Sequence, residues 1–508
     1  MTPASPGAPA PAPPAATRAW VAILQGGVGS ALMFVGSLGI GWIAVASPMV
    51  RNRLVIALRA EGVGVTVSTI LLTVGALLLI RSWLRLGQRL AAWGPGSLRA
   101  VVTAICAWSV PLFIAVPIFS RDVYAYTGQG RLMAEGMNPY TTGISALNNW
   151  FALGADPSWA ENRTPYGPLF LWLARGVVGL TGAQPDVSVL LFRAVAGAGV
   201  ALCVVYIPKL AALHGVNGAR ALWIAAANPL FLISFVASAH NDALMLGLAV
   251  AGTYFAATRK PLWGIALVTA SIAVKPITVL LLPFIGLLWA GSAAGWGRKA
   301  WCWAGTAGFS LALLLLAGLP YGLGLGWTWA LLDGTPGYTG YAPSGFGGQL
   351  LELAGNAVGL DGAVVGDVFR KVLQAAAVAW AGWLVLRGDP QRVVRRLGLA
   401  FAVVVLFSPI IQPWYVLWFI PFLAATGIRD NWQIKSVYVA VSFFVVFGAQ
   451  DQLSVWNFVS LPVDVSRLAF WVALAGTLYL LVADVHTRRL LFAREPAAPP
   501  LPPPLPPR

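Results

Sequence analysis

Charged side chains are scarce in this sequence. Asp, Glu, Lys and Arg make up 10% of its 508 residues, whereas 58% are hydrophobic and the mean hydropathy is +0.77. An ordinary soluble domain contains about a quarter charged residues, and water does not hold this much apolar surface in monomeric form. The composition therefore excludes a soluble protein. It predicts a polytopic membrane protein, in which each helical span takes about 20 apolar residues.

Cysteine is also rare, and several catalytic motifs are missing. Cys106, Cys203 and Cys302 all lie in apolar runs and no two have metal-ligand spacing, which excludes a disulfide scaffold and a zinc ribbon. The sequence has no D-x-D pair, no Walker A lysine and no H-E-x-x-H motif. We therefore predict no metal site, no cofactor and no nucleotide donor, while a requirement for a divalent ion stays open.

Two Pro-rich tails flank the apolar part of the chain. We predict that 1–18 and 491–508 are disordered and cytoplasmic, because neither buries enough apolar surface to offset its ordering entropy. The part between them, 19–490, is predicted to be an all-α membrane domain of about 13–14 transmembrane helices. Its candidate spans lie near 20–46, 63–85, 99–118, 187–207, 220–238, 242–257, 262–275, 277–290, 301–319, 364–386, 397–410, 413–427, 434–449 and 465–484.

Lys and Arg are distributed unevenly between the predicted loops. If 166–183 is a re-entrant or in-plane helix and both tails are cytoplasmic, most basic residues lie on the cytoplasmic side and most acidic residues on the other, as the positive-inside rule requires. If 166–183 spans the membrane, everything after it changes side. The net charge of +16 is therefore mainly topogenic, with contact to anionic lipids, and no nucleic-acid partner is expected.

Two long stretches fall on the outer face in this topology. They are 119–186 and 320–363, and they are rich in Gly, Pro, aromatic and amide residues. Function usually lies on such loops. The chain shows no internal repeat, which argues against a transporter built from inverted repeats.

Asp122 opens the first of these outer stretches, directly after a span. The pattern from Asp122 to Glu135 predicts a helix in the membrane interface, stopped by Gly136 and Pro139. One interpretation is an Arg121–Asp122 pair that anchors the helix end. The other is a general base placed just outside the bilayer, with a basicity set by desolvation and by Arg121.

Three further groups of polar residues interrupt apolar regions at predicted outer ends. They are His240-Asn241-Asp242, Lys275-Pro276, and the segment containing Gln412, Trp414 and Tyr415. Each has a structural interpretation: a helix cap for Asn241 or Asp242, a snorkelling lysine, and an aromatic belt. Each also has a functional one, because five residues would form one outward-facing polar cluster: Asp122, His240, Asp242, Lys275 and Gln412.

At this point the sequence resembles a known family. The segments that carry the resemblance span about residues 20–490 and read RDVYAYTGQGRLMAEGMNPY, TPYGPLFLWLAR, SAHNDALMLGL, VKPITVLLLPF and SPIIQPWYVLW. They are similar to the polyprenol-phosphate-mannose-dependent α-1,6-mannosyltransferases of actinobacterial cell envelopes. These are C-type membrane glycosyltransferases, so the resemblance implies that fold, with outward-facing active-site loops. Many C-type enzymes carry paired acidic residues in the first outer loop, whereas this chain has only Arg121-Asp122 there.

The resemblance implies a reaction and roles for the residues. A mannose would pass with inversion from polyprenyl phosphate to a lipid-anchored α-1,6-mannan acceptor of lipomannan and lipoarabinomannan, at the outer face of the plasma membrane. Asp122 would be the base that deprotonates the acceptor hydroxyl. The remaining roles are donor-phosphate binding by Lys275, Arg163 and His240, and substrate binding by Asp242, Asn241, Tyr166, Gln412, Trp414 and Tyr415. The glycine-rich loop 334–347 would close over the acceptor.

Two other classes of function fit the same residues. One is a related C-type enzyme that makes an α-1,2-mannosyl bond or transfers arabinofuranose. The other is a transporter or flippase for lipid-linked sugars, which should carry ionisable groups along a pathway at the bilayer midplane. The candidate residues collect at one membrane face instead, and this favours an enzyme.

Overall fold

The computed structural model describes residues 15–332, 337–454 and 463–492. These residues are 78% helical and contain no strand. The chain is an all-α polytopic membrane protein, as its composition predicts. The predicted tails 1–18 and 491–508 lie outside the described residues except at their inner ends, where the first helix begins and the last helix ends.

The described helices are named here in chain order. They are α1 (Ala15–Ile40), α2 (Arg53–Ala60), α3 (Gly62–Arg89), α4 (Ser97–Ile114), α5 (Asp122–Ala134), α6 (Pro168–Thr181), α7 (Pro185–Leu213), α8 (Gly218–Ala225), α9 (Pro229–Leu232), α10 (Asp242–Ala257), α11 (Pro261–Val274), α12 (Leu282–Ala290), α13 (Trp296–Gly318), α14 (Gly326–Leu332), α15 (Pro343–Ala357), α16 (Gly362–Leu386), α17 (Val393–Phe407), α18 (Ile420–Ala425), α19 (Trp432–Ser454), α20 (Val465–Leu478) and α21 (Val485–Phe492).

Seven helical segments among the described residues are long and apolar enough to cross a membrane. They are Ala19–Ile40, Gly62–Arg89, Ser97–Ile114, Pro185–Leu213, Trp296–Gly318, Gly362–Leu386 and Val465–Ala483. An eighth span is formed if Gly218–Ala225 and Pro229–Ala237, which meet at 60°, cross together. Pro229 breaks this span. The Asn228 side chain provides hydrogen bonds to backbone groups at the break: it donates to the Ile224 and Ala225 carbonyls and accepts from the Phe231 N–H.

The other predicted spans fall on shorter helices. These helices are Asp242–Ala257, Pro261–Val274, Pro276–Ala290, Val393–Phe407 and Pro413–Ala425, together with the apolar part of α19, Trp432–Phe447. A helix of 16 residues is about 24 Å long, less than the hydrocarbon thickness of about 30 Å. By length alone the described residues therefore hold seven or eight spans, fewer than the 14 predicted segments. The helices are short because polar residues and proline interrupt them at the candidate site.

The ambiguous segment 166–183 forms α6, a helix of 14 residues. At about 21 Å it is too short to cross a bilayer unaided, which fits the re-entrant or in-plane alternative. It begins where the Gly167 N–H donates to the Val274 carbonyl at the end of α11. Only glycine fits here, because a Cβ on Gly167 would lie 2.4 Å from the Ala273 carbonyl oxygen. This contact places Tyr166 beside Lys275.

Close packing of α7 against α10 fixes the start of α10. A Cβ on Gly199 of α7 would lie 2.2 Å from the Ala243 carbonyl oxygen, so the two backbones touch. Small residues at such contacts are typical of helices that associate in membranes. The contact holds Asp242, the first residue of α10, in the bundle interior.

The orientation of the bundle can be tested with single cysteines in a background that lacks the native ones. Phe151 is 61% exposed in the predicted outer loop that also carries Trp159, and Trp296 is 59% exposed at the start of α13. The 23 residues of α13 place its two ends about 34 Å apart. An impermeant thiol reagent should label Phe151→Cys in intact cells and Trp296→Cys only after permeabilisation. The reverse pattern would overturn the predicted orientation.

Candidate active site

Asp122 is the first residue of α5, a helix whose other residues are mostly buried. One carboxylate oxygen accepts a hydrogen bond from the Trp159 indole at 3.0 Å. The other oxygen lies 3.6 Å from Nδ1 of His240, too far for a good hydrogen bond. The Asp122 side chain is 19% exposed. It is therefore held in place on one side and accessible to a substrate on the other.

The Arg121–Asp122 interpretation of the sequence is wrong. The Arg121 guanidinium binds Asp156 instead, at 2.8 Å from Nε and 2.5 Å from Nη2, and it stacks over the Trp42 ring at 4.3 Å. Burial alone would raise the pKa of Asp156, but hydrogen bonds from Ser158 and Arg121 outweigh it and leave that pKa below its usual value. Within the described ranges no Lys or Arg forms an ion pair with Asp122.

His240 lies next to Asp122 because the chain turns sharply before it. Ala239 has a left-handed conformation with φ of 56°, and the turn directs His240 into the interior, where 1% of it is exposed. Its ring stacks on Trp414 with centroids 3.7 Å apart. Burial lowers the pKa of His240; Asp122 and Asp242 oppose this, and Lys275 adds to it.

Asp242 and Lys275 form a buried ion pair. The ammonium lies 2.8 and 2.9 Å from the two carboxylate oxygens, and the Trp418 indole donates to Oδ1 of Asp242 at 2.7 Å. Asp242 is fully buried, whereas 15% of the Lys275 side chain is exposed. Lys275 therefore points inward and does not snorkel to the surface. Neither residue of the Asn241-Asp242 pair caps α10 with its side chain in this structure.

Aromatic rings surround the Lys275 ammonium on three sides. The distances from Nζ to the ring centroids are 5.1 Å for Trp418, 5.4 Å for Tyr415 and 5.9 Å for Tyr166. Tyr415 stacks on Trp418 at 4.0 Å, so these two rings form one continuous face. Cation–π attraction is strongest where the cation is desolvated, as it is here. The arrangement is a crevice in which planar faces and a cation lie side by side.

Several buried polar atoms in this crevice have no hydrogen-bond partner among the described residues. They are both ring nitrogens of His240, both amide atoms of Asn241 and the indole nitrogen of Trp414. A buried donor or acceptor left unpaired costs about 1–3 kcal/mol. Their concentration at one place indicates a site that a polar ligand completes. A sugar, which offers both donors and acceptors, would suit it.

The structure brings most of the predicted site residues together, but not all. Asp122, His240, Asp242 and Lys275 converge with Tyr166, Trp414 and Tyr415, from distant parts of the chain. The Gln412 side chain is half-buried and makes no hydrogen bond within the described ranges, and Arg163 is exposed. Part of the predicted closing loop 334–347 lies outside the described residues. Its described part packs on the segment before Gln412, through hydrogen bonds from Tyr341 to Ile411 and from Ser344 to Ser408.

The sequence analysis missed three residues of the site. Trp159 and Trp418 orient the two carboxylates, and Trp418 lies within a motif that carries the family resemblance. The third is Arg193, whose signal was a charge inside the apolar helix α7, a costly position that usually has a function. Of the described residues, no three His, Cys, Asp or Glu side chains lie close enough to hold a metal ion.

Arg193 joins the two segments that carry Asp122 and His240. It is 1% exposed, and its guanidinium donates to the carbonyls of Phe113 and Ala115 at 2.8 and 2.6 Å and to that of Ala237 at 2.5 and 3.1 Å. Ser238 adds a parallel connection by donating to the Ile118 carbonyl at 2.6 Å. We infer that Arg193 is a positioning residue for the Asp122–His240 separation.

Arg193→Lys should lower kcat by at least about tenfold and leave the apparent KM values within about threefold. A lysine keeps the charge but loses the planar fork that reaches all three carbonyls. The reacting groups should therefore shift slightly, and small displacements of reacting groups lower the rate of catalysis strongly. Steady-state kinetics would measure this. Arg396→Lys is the matched control, since its buried guanidinium also donates to carbonyls, those of Leu384, Val385 and Asp389. An equal fall in kcat for both variants would show that Arg193 supports the fold in general and has no specific role in positioning Asp122 and His240.

Comparison with known proteins identifies the chain as a multi-pass membrane glycosyltransferase. Residues 23–291 match the family model "Alpha-(1->6)-mannopyranosyltransferase, N-terminal domain", and residues 344–475 match "MptB C-terminal domain". The chain belongs to the alpha-(1->6)-mannopyranosyltransferase family. The resemblance seen in the sequence motifs is thereby confirmed at the level of the family.

Named relatives come from mycobacteria and corynebacteria. A probable alpha-(1->6)-mannopyranosyltransferase of Mycolicibacterium smegmatis is 32% identical over 94% of this chain and 90% of its own length. Alpha-(1->6)-mannopyranosyltransferase A of Mycobacterium tuberculosis is 30% identical, over 89% and 87%. Alpha-(1->6)-mannopyranosyltransferase B of Corynebacterium glutamicum is 26% identical, over 93% and 82%. No solved structure matches the chain.

Proposed function

We propose that the protein is an inverting α-1,6-mannosyltransferase that takes mannose from polyprenyl-phosphate mannose. The acceptor is a lipid-anchored α-1,6-mannan on the route to lipomannan and lipoarabinomannan, and the reaction takes place at the outer face of the plasma membrane. The observation that carries the proposal is the Asp122 carboxylate. It is oriented by Trp159, unpaired with any cation of the described residues, and placed beside a crevice of aromatic rings.

Asp122 is the general base in this mechanism. It accepts the proton of the acceptor's 6-hydroxyl while that oxygen attacks C1 of the mannose on the face opposite the phosphate. The β-linked donor thus gives an α-linked product through an oxocarbenium-like transition state. His240, stacked on Trp414 beside Asp122, offers a ring N–H to the donor phosphate.

Lys275 supports departure of the lipid phosphate. Two of its ammonium protons are directed at Asp242, which leaves the third for a phosphate oxygen. A hydrogen bond to a charged oxygen strengthens as charge develops in the transition state. Both Asp242 oxygens accept from Lys275, and Oδ1 also accepts from Trp418, so its role is to hold Lys275. Arg163, which is exposed three residues before Tyr166 in the sequence, is the second cation that we assign to the donor phosphate.

Transfer assays with different donors test this function. Purified protein is incubated with a short α-1,6-mannoside and either polyprenyl-phosphate mannose, GDP-mannose or polyprenyl-phosphate arabinose. We expect chain extension from the lipid mannose alone. Extension from GDP-mannose would refute the lipid-phosphate donor, and preference for the arabinose donor would point to the related arabinosyl chemistry.

A further inference from the structure

A second polar cluster lies along α6, away from the Asp122 crevice. Trp172 and Arg175 are one helical turn apart on α6, and both Tyr321 and Trp327 reach this face from the segment after α13. Arg175 lies under the Tyr321 ring at 4.6 Å. Trp172 and Trp327 pack on the same small apolar group, which consists of Met133, Tyr140, Leu171 and Leu323. The motif TPYGPLFLWLAR contains Trp172 and Arg175, yet the proposed mechanism uses neither.

This cluster contains hydrogen-bond donors without acceptors. The indole nitrogens of Trp172 and Trp327 and Nε of Arg175 are buried and have no partner within the described ranges. No acidic side chain of that part of the chain pairs with Arg175, whereas Arg131 on the neighbouring α5 binds Glu135 at 3.0 Å. Unpaired buried donors are costly, and three of them at one place indicate a missing acceptor.

The chemistry of the missing partner follows from the donors. A cation and two N–H groups with no acceptor among them match a ligand that only accepts, such as the oxygens of a phosphodiester. A sugar would also need acceptors for its own hydroxyl protons. Tryptophan and tyrosine are enriched at the level of lipid headgroups. The ligand is therefore a lipid headgroup rather than a glycan.

We propose that Trp172, Arg175 and Trp327 bind the phosphodiester headgroup of a lipid, with Tyr321 as a movable cover. Tyr321 is 55% exposed, so its ring can leave Arg175 without disturbing the core. The site is connected to the crevice, because the Tyr140 hydroxyl donates to the Tyr166 carbonyl at 2.8 Å. Arg175 is seven residues from the start of α6, or about 10 Å along the helix.

This distance separates the site from the reacting phosphate. The phosphate that leaves C1 must lie within bonding distance of the transferred sugar, so Arg175 binds a different headgroup or a donor lipid before it moves to Lys275. Two sources share the phosphodiester chemistry. One is a membrane phospholipid, and the other is polyprenyl-phosphate mannose.

Native mass spectrometry of the full chain tests the site without relying on catalysis. The probes are phosphatidylglycerol, polyprenyl-phosphate mannose and uncharged diacylglycerol, each added to protein in a neutral detergent. Arg175→Gln should reduce binding of at least one phosphodiester lipid by about tenfold, as loss of a charged hydrogen bond requires, and leave diacylglycerol unchanged. Loss of phosphatidylglycerol identifies a phospholipid site, and loss restricted to polyprenyl-phosphate mannose identifies a waiting site for the donor.

Two further variants keep the test decisive. Trp327→Phe retains an aromatic ring but lacks the N–H, and should reduce the same adduct by about threefold. Arg131→Gln removes a cation that already has an acidic partner on the same face, and should change lipid binding less than twofold. Unchanged binding in Arg175→Gln, or an equal loss in Arg131→Gln, would overturn the proposal. Because the readout is binding, its failure is distinct from failure of mannose transfer.

Discussion

Asp122→Asn should reduce turnover by roughly two to four orders of magnitude, the scale of general-base catalysis. Asparagine keeps the shape of the side chain and can still accept the Trp159 indole hydrogen bond, but it cannot take a proton from the acceptor. Donor binding and thermal stability should stay close to wild type, because Asp122 has no cationic partner among the described residues to lose. Initial rates with saturating substrates, together with thermal unfolding of the same preparation, measure both quantities.

Asp156→Asn is the matched control for this experiment. Asp156 is an acidic residue of the same outer loop and pairs with Arg121, the neighbour of Asp122. Its pair is partly exposed and contributes about 0–1 kcal/mol, so the variant should lose a little stability and keep turnover within about threefold. If Asp122→Asn folds and turns over at a near wild-type rate, Asp122 is not the base.

The Asp242–Lys275 pair should show strong coupling between its two members. Either Lys275→Gln or Asp242→Asn alone leaves a buried charge without its partner, which typically destabilises a protein by about 3–5 kcal/mol. The double variant Lys275→Gln/Asp242→Asn carries no charge and should recover most of that stability. Its use of the lipid-phosphate donor should nevertheless stay at least about tenfold below wild type, since the ammonium that stabilises the leaving phosphate is gone.

Thermal unfolding and steady-state kinetics of the three variants decide this prediction. Arg370→Gln/Glu352→Gln is a suitable control, because Arg370 and Glu352 also form a partly buried pair but lie between α15 and α16. A Lys275→Gln/Asp242→Asn enzyme with wild-type efficiency toward the donor would show that the pair serves folding alone. A change confined to the apparent KM of the acceptor would show that Lys275 contacts the acceptor and not the donor phosphate.

Local sequence patterns predicted where helices begin and end better than they predicted which side chains contact each other. The helix from Asp122 was readable, since a polar residue directly after a span begins it and Glu135 with Gly136 ends it. The pairing of Arg121 with Asp156 could not be read from the sequence, because the two residues are 35 positions apart and a loop brings them together. Adjacent charges in sequence suggested the wrong pair.

The same limit applies to the buried part of the site. Lys275-Pro276 and His240-Asn241-Asp242 were recognisable as polar interruptions of apolar runs. Sequence periodicity could not show that Lys275 turns inward, since this depends on Trp418 and Tyr415 closing the crevice from a third part of the chain. Of the predicted spans, seven or eight are long enough among the described residues to cross by length alone, because the interruptions that mark the site shorten the helices around it.

The stereochemistry and linkage of the product test the central claim most directly. Purified protein is given β-linked polyprenyl-phosphate mannose with ¹³C at C1 and a short α-1,6-mannoside, and the product is examined by NMR. The mechanism predicts a single new mannose with α configuration, attached at O6 of the terminal residue, and no such product from Asp122→Asn on the same timescale. A β-configured product, attachment at O2, or labelled product from Asp122→Asn at the wild-type rate would contradict inverting α-1,6 transfer by Asp122.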